Sequence, residues 1–223
     1  MLFDIFSGDA DFFALMIKLF SRLFVIFCTM PIHEYAHALI ATKLGDQTPR
    51  LSGRLTLNPM AHISPLGALM IILCGFGYAK PVSVNPRNFK DSKKGMALTA
   101  IAGPISNLIM GFIFTFVTVI FANLEYTTIN DAFYTFFLFA ATININLAVF
   151  NLLPIPPLDG SRILQLLIPA KYYYKFLEYE RYIVIVVFIL ILTGVLSTPL
   201  SLISTGILKL FFNIASLPFK LIG

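Results

Sequence analysis

The 223-residue chain is 58% hydrophobic and only 12% charged, carries 23 Phe, and has a mean hydropathy of +0.86. Soluble domains run nearer half apolar and a quarter charged, so this composition excludes an ordinary globular protein and points to a multi-span membrane protein. In so apolar a chain the formal net charge of +5 serves loop orientation and contact with anionic lipid, and nucleic acid is not expected as a partner.

A helix needs about 20 apolar residues to cross the hydrocarbon core, so this length allows about five or six crossings and little outside the bilayer. The opening MLFDIFSGDADFF carries Asp4, Asp9 and Asp11 in place of a basic start, and no cleaved signal peptide is expected. The first long span runs from about residue 12 to 41 and is interrupted at Pro31. A polar stretch over 42–64 follows, in which LSGRLTLNP alternates at Leu51, Leu55 and Leu57 as a strand would. Residues 65–78 are apolar but few, and either span or re-enter. KPVSVNPRNFKDSKK is a basic loop. Further spans are expected over 95–122 and 132–153 and, beyond a Pro-rich and then basic connection at 154–181, over 182–196 and 200–214.

The expected fold is an all-α membrane protein, a polytopic helical bundle of about five to six transmembrane segments with a small membrane-associated β or re-entrant element after the first long span. It forms a single domain over 1–223, with a core at about 12–165 and C-terminal spans at about 182–215. Cys28 and Cys74 lie in apolar runs without CxxC spacing and read as buried structural thiols, not a disulfide pair. Segment 42–94 holds Lys43, Arg50, Arg54, Lys80, Arg87, Lys90, Lys93 and Lys94 against Asp46 and Asp91, whereas 123–131 holds only Glu125 and Asp131. The positive-inside rule places 42–94 and 154–181 in the cytoplasm and 123–131 outside, provided that 65–78 dips in and returns.

His33-Glu34-Tyr35-Ala36-His37 is an HExxH sequence on a predicted helix. At 3.6 residues per turn His33 and His37 stack on one face, where both imidazoles reach one ion, and Glu34 sits beside them to take a proton from an activated water. The chain has only three His, and ionisable groups inside a membrane are costly, so tolerated helix histidines explain the pattern poorly. A catalytic zinc usually takes three protein ligands, which leaves one to find. Asp159, in Asn151-Leu-Leu-Pro-Ile-Pro-Pro-Leu-Asp159-Gly160, is the first candidate, because Pro154, Pro156 and Pro157 unwind the backbone near the end of the third span. An N-cap role for Asp159 fits its residue type equally well. His62 is a possible accessory residue or a structural loop His, and Asn107 either approaches the site or lies on a small-residue packing face with Ala102, Gly103 and Ser106.

HEYAH near the end of one span, and NLLPIPPLDG near the end of a later one, resemble the site-2 proteases, a family of intramembrane zinc metalloproteases. LNPMAHISPLG, YAKPVSVNP and AGPISN resemble its short bacterial and archaeal branch, which lacks PDZ and CBS domains. The resemblance covers about residues 30–165. It implies one Zn2+ per chain on His33, His37 and Asp159, Glu34 as the catalytic acid–base, and Asn151 holding the substrate or its oxyanion. With the loops so oriented, the ends of the first and third spans, and the active site with them, are expected toward the cytoplasmic side of the cell's inner membrane in a multi-pass protein. The implied substrates are single-span membrane proteins or signal-peptide remnants. A metal transporter or channel would account for the two His and the Asp but not for Glu34, and an inactive scaffold would use the same polar groove. Non-haem iron chemistry shares the ligand types but not the HExxH spacing. Oligomeric state is not encoded in any pattern of the sequence.

Overall fold

A computed structural model describes residues 12–67, 69 and 80–222. Every regular element among the described residues is helical, in keeping with an all-α polytopic protein. Four helices are long and apolar enough to cross a membrane: Phe12–Lys43, Ser92–Ala122, Thr128–Asn151 and Ser197–Lys220. Two of the expected crossings are not among them. The stretch 65–78 lies largely outside the described residues, and the helix Glu180–Leu192, at 13 residues, falls short of the about 20 that a crossing needs.

The first span is one rod with a fault in it. Helix α1 (Phe12–Phe24) runs into a π-helical turn, Val25–Thr29, and then into α2 (Met30–Lys43). Pro31 has no N–H, and its ring would crowd the carbonyl of residue 27, so the turn before it widens and the Met30 N–H reaches back to the Val25 carbonyl. The extra residue in that turn rotates the face presented by α2 by about 100° relative to α1. Ser21 ties α1 to a later span through the Phe136 carbonyl, 3.1 Å from its Oγ. Cys28 is free and exposed, contrary to the buried thiol expected, because the rod turns this face outward to where lipid would cover it. Cys74 lies outside the described residues.

After α2 come two single-turn helices, α3 (Thr48–Leu51) and α4 (Pro59–His62). The strand expected over 51–57 is not formed. Pro49 starts a helical turn, Gly53 takes a left-handed φ of 69°, and the Arg54 N–H closes back on the Pro49 carbonyl at 2.8 Å. With no strand beside it among the described residues, the alternating segment satisfies its backbone locally.

Helices α5 (Ser92–Ala122) and α6 (Thr128–Asn151) form the central hairpin. Asp91 caps α5 by accepting from the Lys94 N–H, and Thr127 caps α6 by accepting from the Asn130 N–H, both at 3.1 Å. Val25, Phe114, Ala140 and Ala141 form the shared core, and the small Ala pair lets the backbones approach. Past α6 the chain turns through a cis Pro156–Pro157 bond into α7 (Asp159–Leu164), then α8 (Ala170–Glu178), α9 (Glu180–Leu192) and α10 (Ser197–Ile222). Phe211 and Phe219 of α10 meet Phe112 and Phe116 of α5 at ring-centroid distances of 5.3 and 6.3 Å.

Candidate metal centre

Pro31 places α2 so that His33, Glu34 and His37 turn inward, and they are only 7, 8 and 7% exposed. The helix puts the two imidazoles one turn apart, with His33 Nε2 and His37 Nε2 at 3.0 Å. His37 Nδ1 lies 2.7 Å from the Thr99 carbonyl of α5, the contact expected of an Nδ1–H donor, and this leaves the Nε2 lone pair free to bind. His33 Nδ1 and Thr99 Oγ1 are buried without hydrogen-bond partners among the described residues.

Asp159 arrives from the opposite side. The Leu153 and Leu158 N–H groups close turns on the Phe150 and Ile155 carbonyls, at 3.1 and 2.9 Å, and fold the break back on α6. Gly160 packs so tightly there that a Cβ would overlap the Leu152 and Leu153 carbonyls. Leu158, not Asp159, is the N-cap of α7, so the capping role does not claim the Asp159 carboxylate. Its Oδ2 lies 3.3 Å from both His33 Nε2 and His37 Nε2. Burial opposes the charge on Asp159, but when their Nε2 atoms carry protons instead of a metal, His37 and His33 hold its carboxyl well below the usual carboxylate range.

These three ligand atoms form a near-equilateral triangle with edges of 3.0, 3.3 and 3.3 Å. Tetrahedral ligands at zinc bond lengths of about 2.0–2.1 Å stand about 3.3–3.4 Å apart, so the triangle has the size of one face of a zinc tetrahedron. Space for it comes from α5, where a Cβ on Gly103 would overlap His37 Nε2 and His33 Cε1. The donor set of two imidazoles and a carboxylate also fits zinc, and a fourth position remains for water or substrate.

The triangle borders a cavity of about 420 Å3. Glu34, Asn107 and Asn151 line it beside the three candidate ligands, and Pro81, Val82, Leu147, Phe150 and Leu158 give it an apolar wall. His62 is elsewhere: it is fully buried, its Nε2 is 2.8 Å from the Thr56 carbonyl, and it does not line the cavity. Three contributors escape sequence reasoning. Gly103 reads in the sequence only as a packing residue, Thr99 acts through a backbone carbonyl that no side-chain pattern reveals, and Arg162 reaches the cavity from the basic connection.

Residues 117–194 match the family model described as Peptidase family M50, which takes in Asn151 and Asp159 but not HEYAH. Over 190 residues, 81% of this chain and 85% of the relative, the sequence is 42% identical to "Putative zinc metalloprotease YwhC" of Bacillus subtilis. The chain belongs to peptidase family M50. More distant relatives are "Putative zinc metalloprotease Rip2" of Mycolicibacterium smegmatis, 29% identical over 58% of this chain and 50% of the relative, and "Zinc metalloprotease MJ0392" of Methanocaldococcus jannaschii, 26% identical over 67% of this chain and 35% of the relative. No solved structure matches the chain significantly. In this member of M50 the family model covers the broken arm of the site, and the helical arm carries the HExxH spacing.

Proposed function

We propose that this M50 chain is a zinc-dependent intramembrane endopeptidase that hydrolyses peptide bonds in or near the transmembrane segments of membrane proteins. The observation that carries the reading is the triangle of His33 Nε2, His37 Nε2 and Asp159 Oδ2 at the edge of a cavity that Glu34 also lines. The relatives' names point to the same metal and the same reaction.

In this reading His33, His37 and Asp159 hold one zinc per chain, and zinc supplies Lewis acidity that makes water a nucleophile near neutral pH and polarises a scissile carbonyl. Glu34 takes a proton from the attacking water and returns it to the leaving amine nitrogen as the C–N bond breaks. Asn151, at the last turn of α6, donates to the oxyanion that develops on the carbonyl oxygen. The Thr99 carbonyl fixes the His37 tautomer, and the apolar wall limits the water that reaches the site.

The charge asymmetry of the loops supports an inner-membrane protein with this site toward the cytoplasm. Single-span proteins and signal-peptide remnants are the substrates that such a site would take, since a helical amide must leave its own hydrogen bonds before it reaches the metal. The deciding experiment is Glu34→Gln in purified protein. Cleavage is expected to fall by about 10²–10⁴-fold while zinc content stays at that of the wild type. Cleavage at the wild-type rate would end the proposal.

A further inference from the structure

The connection after α2 carries a second buried carboxylate that the proposed chemistry leaves unused. Asp46 is fully buried and is held by neutral donors. Its Oδ1 accepts from the Thr48 N–H (3.1 Å), the Thr48 hydroxyl (2.6 Å) and the Asn88 side-chain amide (2.6 Å), and its Oδ2 accepts from the Asn85 N–H (2.7 Å). Bonds to an ionised acceptor are about twice as strong as neutral ones, so this is a firm clasp between two loops that stand 39 and 42 positions apart in sequence.

The clasped segment borders the cavity. The Lys80 N–H is bonded to the His62 carbonyl at 2.7 Å, Asp46 grips the chain at Asn85 and Asn88, and between these two anchors Pro81, Val82 and Val84 line the cavity. Val84 also packs on the buried group of Ala41, Phe89 and Met96, which joins the end of α2 to the start of α5. Asp46 itself lies three positions past Lys43, the last residue of the helix that bears HEYAH. A carboxylate rigidly continuous with the ligand helix therefore holds the facing wall.

We propose that Asp46 is a positioning residue: it fixes the 81–84 wall relative to the ligands on α2 and so sets the width of the cleft that receives the substrate. The inference rests on the peptidase reading of that cavity. An amide at position 46 would keep the three bonds to Oδ1 but turn an NH2 toward the Asn85 N–H, so even the conservative change opens one side of the clasp.

The test uses the full, zinc-loaded chain in a Cys28→Ser, Cys74→Ser background. It reads zinc per chain, the maleimide labelling rate of Val82→Cys, and cleavage of a quenched fluorescent apolar peptide over a range of concentrations. Asp46→Ala is expected to keep its zinc, to label faster at Val82→Cys, and to lose on the order of a hundredfold in kcat/KM, mostly through KM. A disulfide between Thr48→Cys and Asn88→Cys, whose native side chains are 3.4 Å apart, is expected to restore KM in the Asp46→Ala protein, and reduction is expected to undo the rescue. If Asp46→Ala folds poorly, Asn88→Ala, which removes only one bond of the clasp, is expected to show the same changes in smaller measure. Wild-type labelling and wild-type KM in a zinc-loaded variant would overturn the proposal, as would a disulfide that restores protein yield but not KM. A wild type that binds zinc yet cleaves nothing would sink the peptidase reading alone, and the labelling rate would still decide whether Asp46 holds the wall.

Discussion

The candidate ligands reach one point by opposite means. On α2, the unbroken ladder of a regular helix fixes the direction of His33 and His37, and the neighbouring α5 needs only to stay out of the way at Gly103. Asp159 rides on a chain that has left its helix, and its position depends on successive turns from Leu153 to Leu158 and on Gly160 pressed against the end of α6. The helical arm is set by its own hydrogen bonds and the broken arm by its surroundings. Changes scattered along α2 are therefore expected to be tolerated away from its inward face, while each residue of the break matters.

Removing a candidate ligand from either arm should erase that difference, and it gives the largest effect. Asp159→Ala and His33→Ala are both expected to abolish cleavage and to drop zinc well below one per chain by mass spectrometry. Zinc retained by Asp159→Ala would leave the broken arm without a metal role and would send the search for a third ligand elsewhere. Next in size is Asn151→Ala, at the root of the broken arm. Loss of one oxyanion donor costs about 10²–10³ in kcat, so the variant should keep its zinc and lose about that much turnover. Unchanged kcat would leave Asn151 without an oxyanion role.

The two glycines compare the arms directly. A methyl on Gly103 would collide with the two imidazoles, while one on Gly160 would collide with the Leu152 and Leu153 carbonyls and displace the whole turn. Supporting residues of a metal site typically cost about 10–100-fold in affinity when disturbed. Both Gly→Ala variants should weaken zinc in a chelator competition. Only Gly160→Ala should also reduce turnover at saturating zinc, because it moves Asn151's end of α6 together with Asp159. Equal kcat for the two zinc-loaded variants would show that the break is as stiff as the helix.

How much of this could be read beforehand follows the same division. HEYAH was legible because a helix converts sequence spacing directly into geometry, and the all-helical, multi-span fold was legible from apolar runs such as 95–122. Asp159 was only half legible: an Asp before Gly after prolines suits a cap as well as a ligand, and only the capping geometry at Leu158 frees its carboxylate for the imidazoles. The alternation at Leu51, Leu55 and Leu57 misled because a strand needs a partner, which the pattern of one segment cannot supply. Gly103 and Asp46 were not legible in their roles at all. One works by leaving room for residues 66 and 70 positions earlier, the other by accepting hydrogen bonds from a loop about 40 positions later.

The smallest expected effect concerns that loop and bears on how rigidly the helical arm is joined to the wall it faces. Burial works against the charge on Asp46, but the Thr48, Asn85 and Asn88 donors hold its carboxyl below the usual carboxylate range. A folded-state value below the unfolded one of about 3.9 means that the clasp contributes its full stability above that pH and loses it as the pH falls toward the folded value. The thermal midpoint of the wild type should therefore exceed that of Asp46→Asn by a constant margin from pH 7 to about pH 5, and the margin should shrink below about pH 4. The other carboxylates titrate in both proteins and largely cancel in the difference. A margin that instead widened as the pH fell from 7 to 5 would have the wrong sign for a depressed carboxylate, and the clasp would then not be what joins α2 to the 81–84 wall.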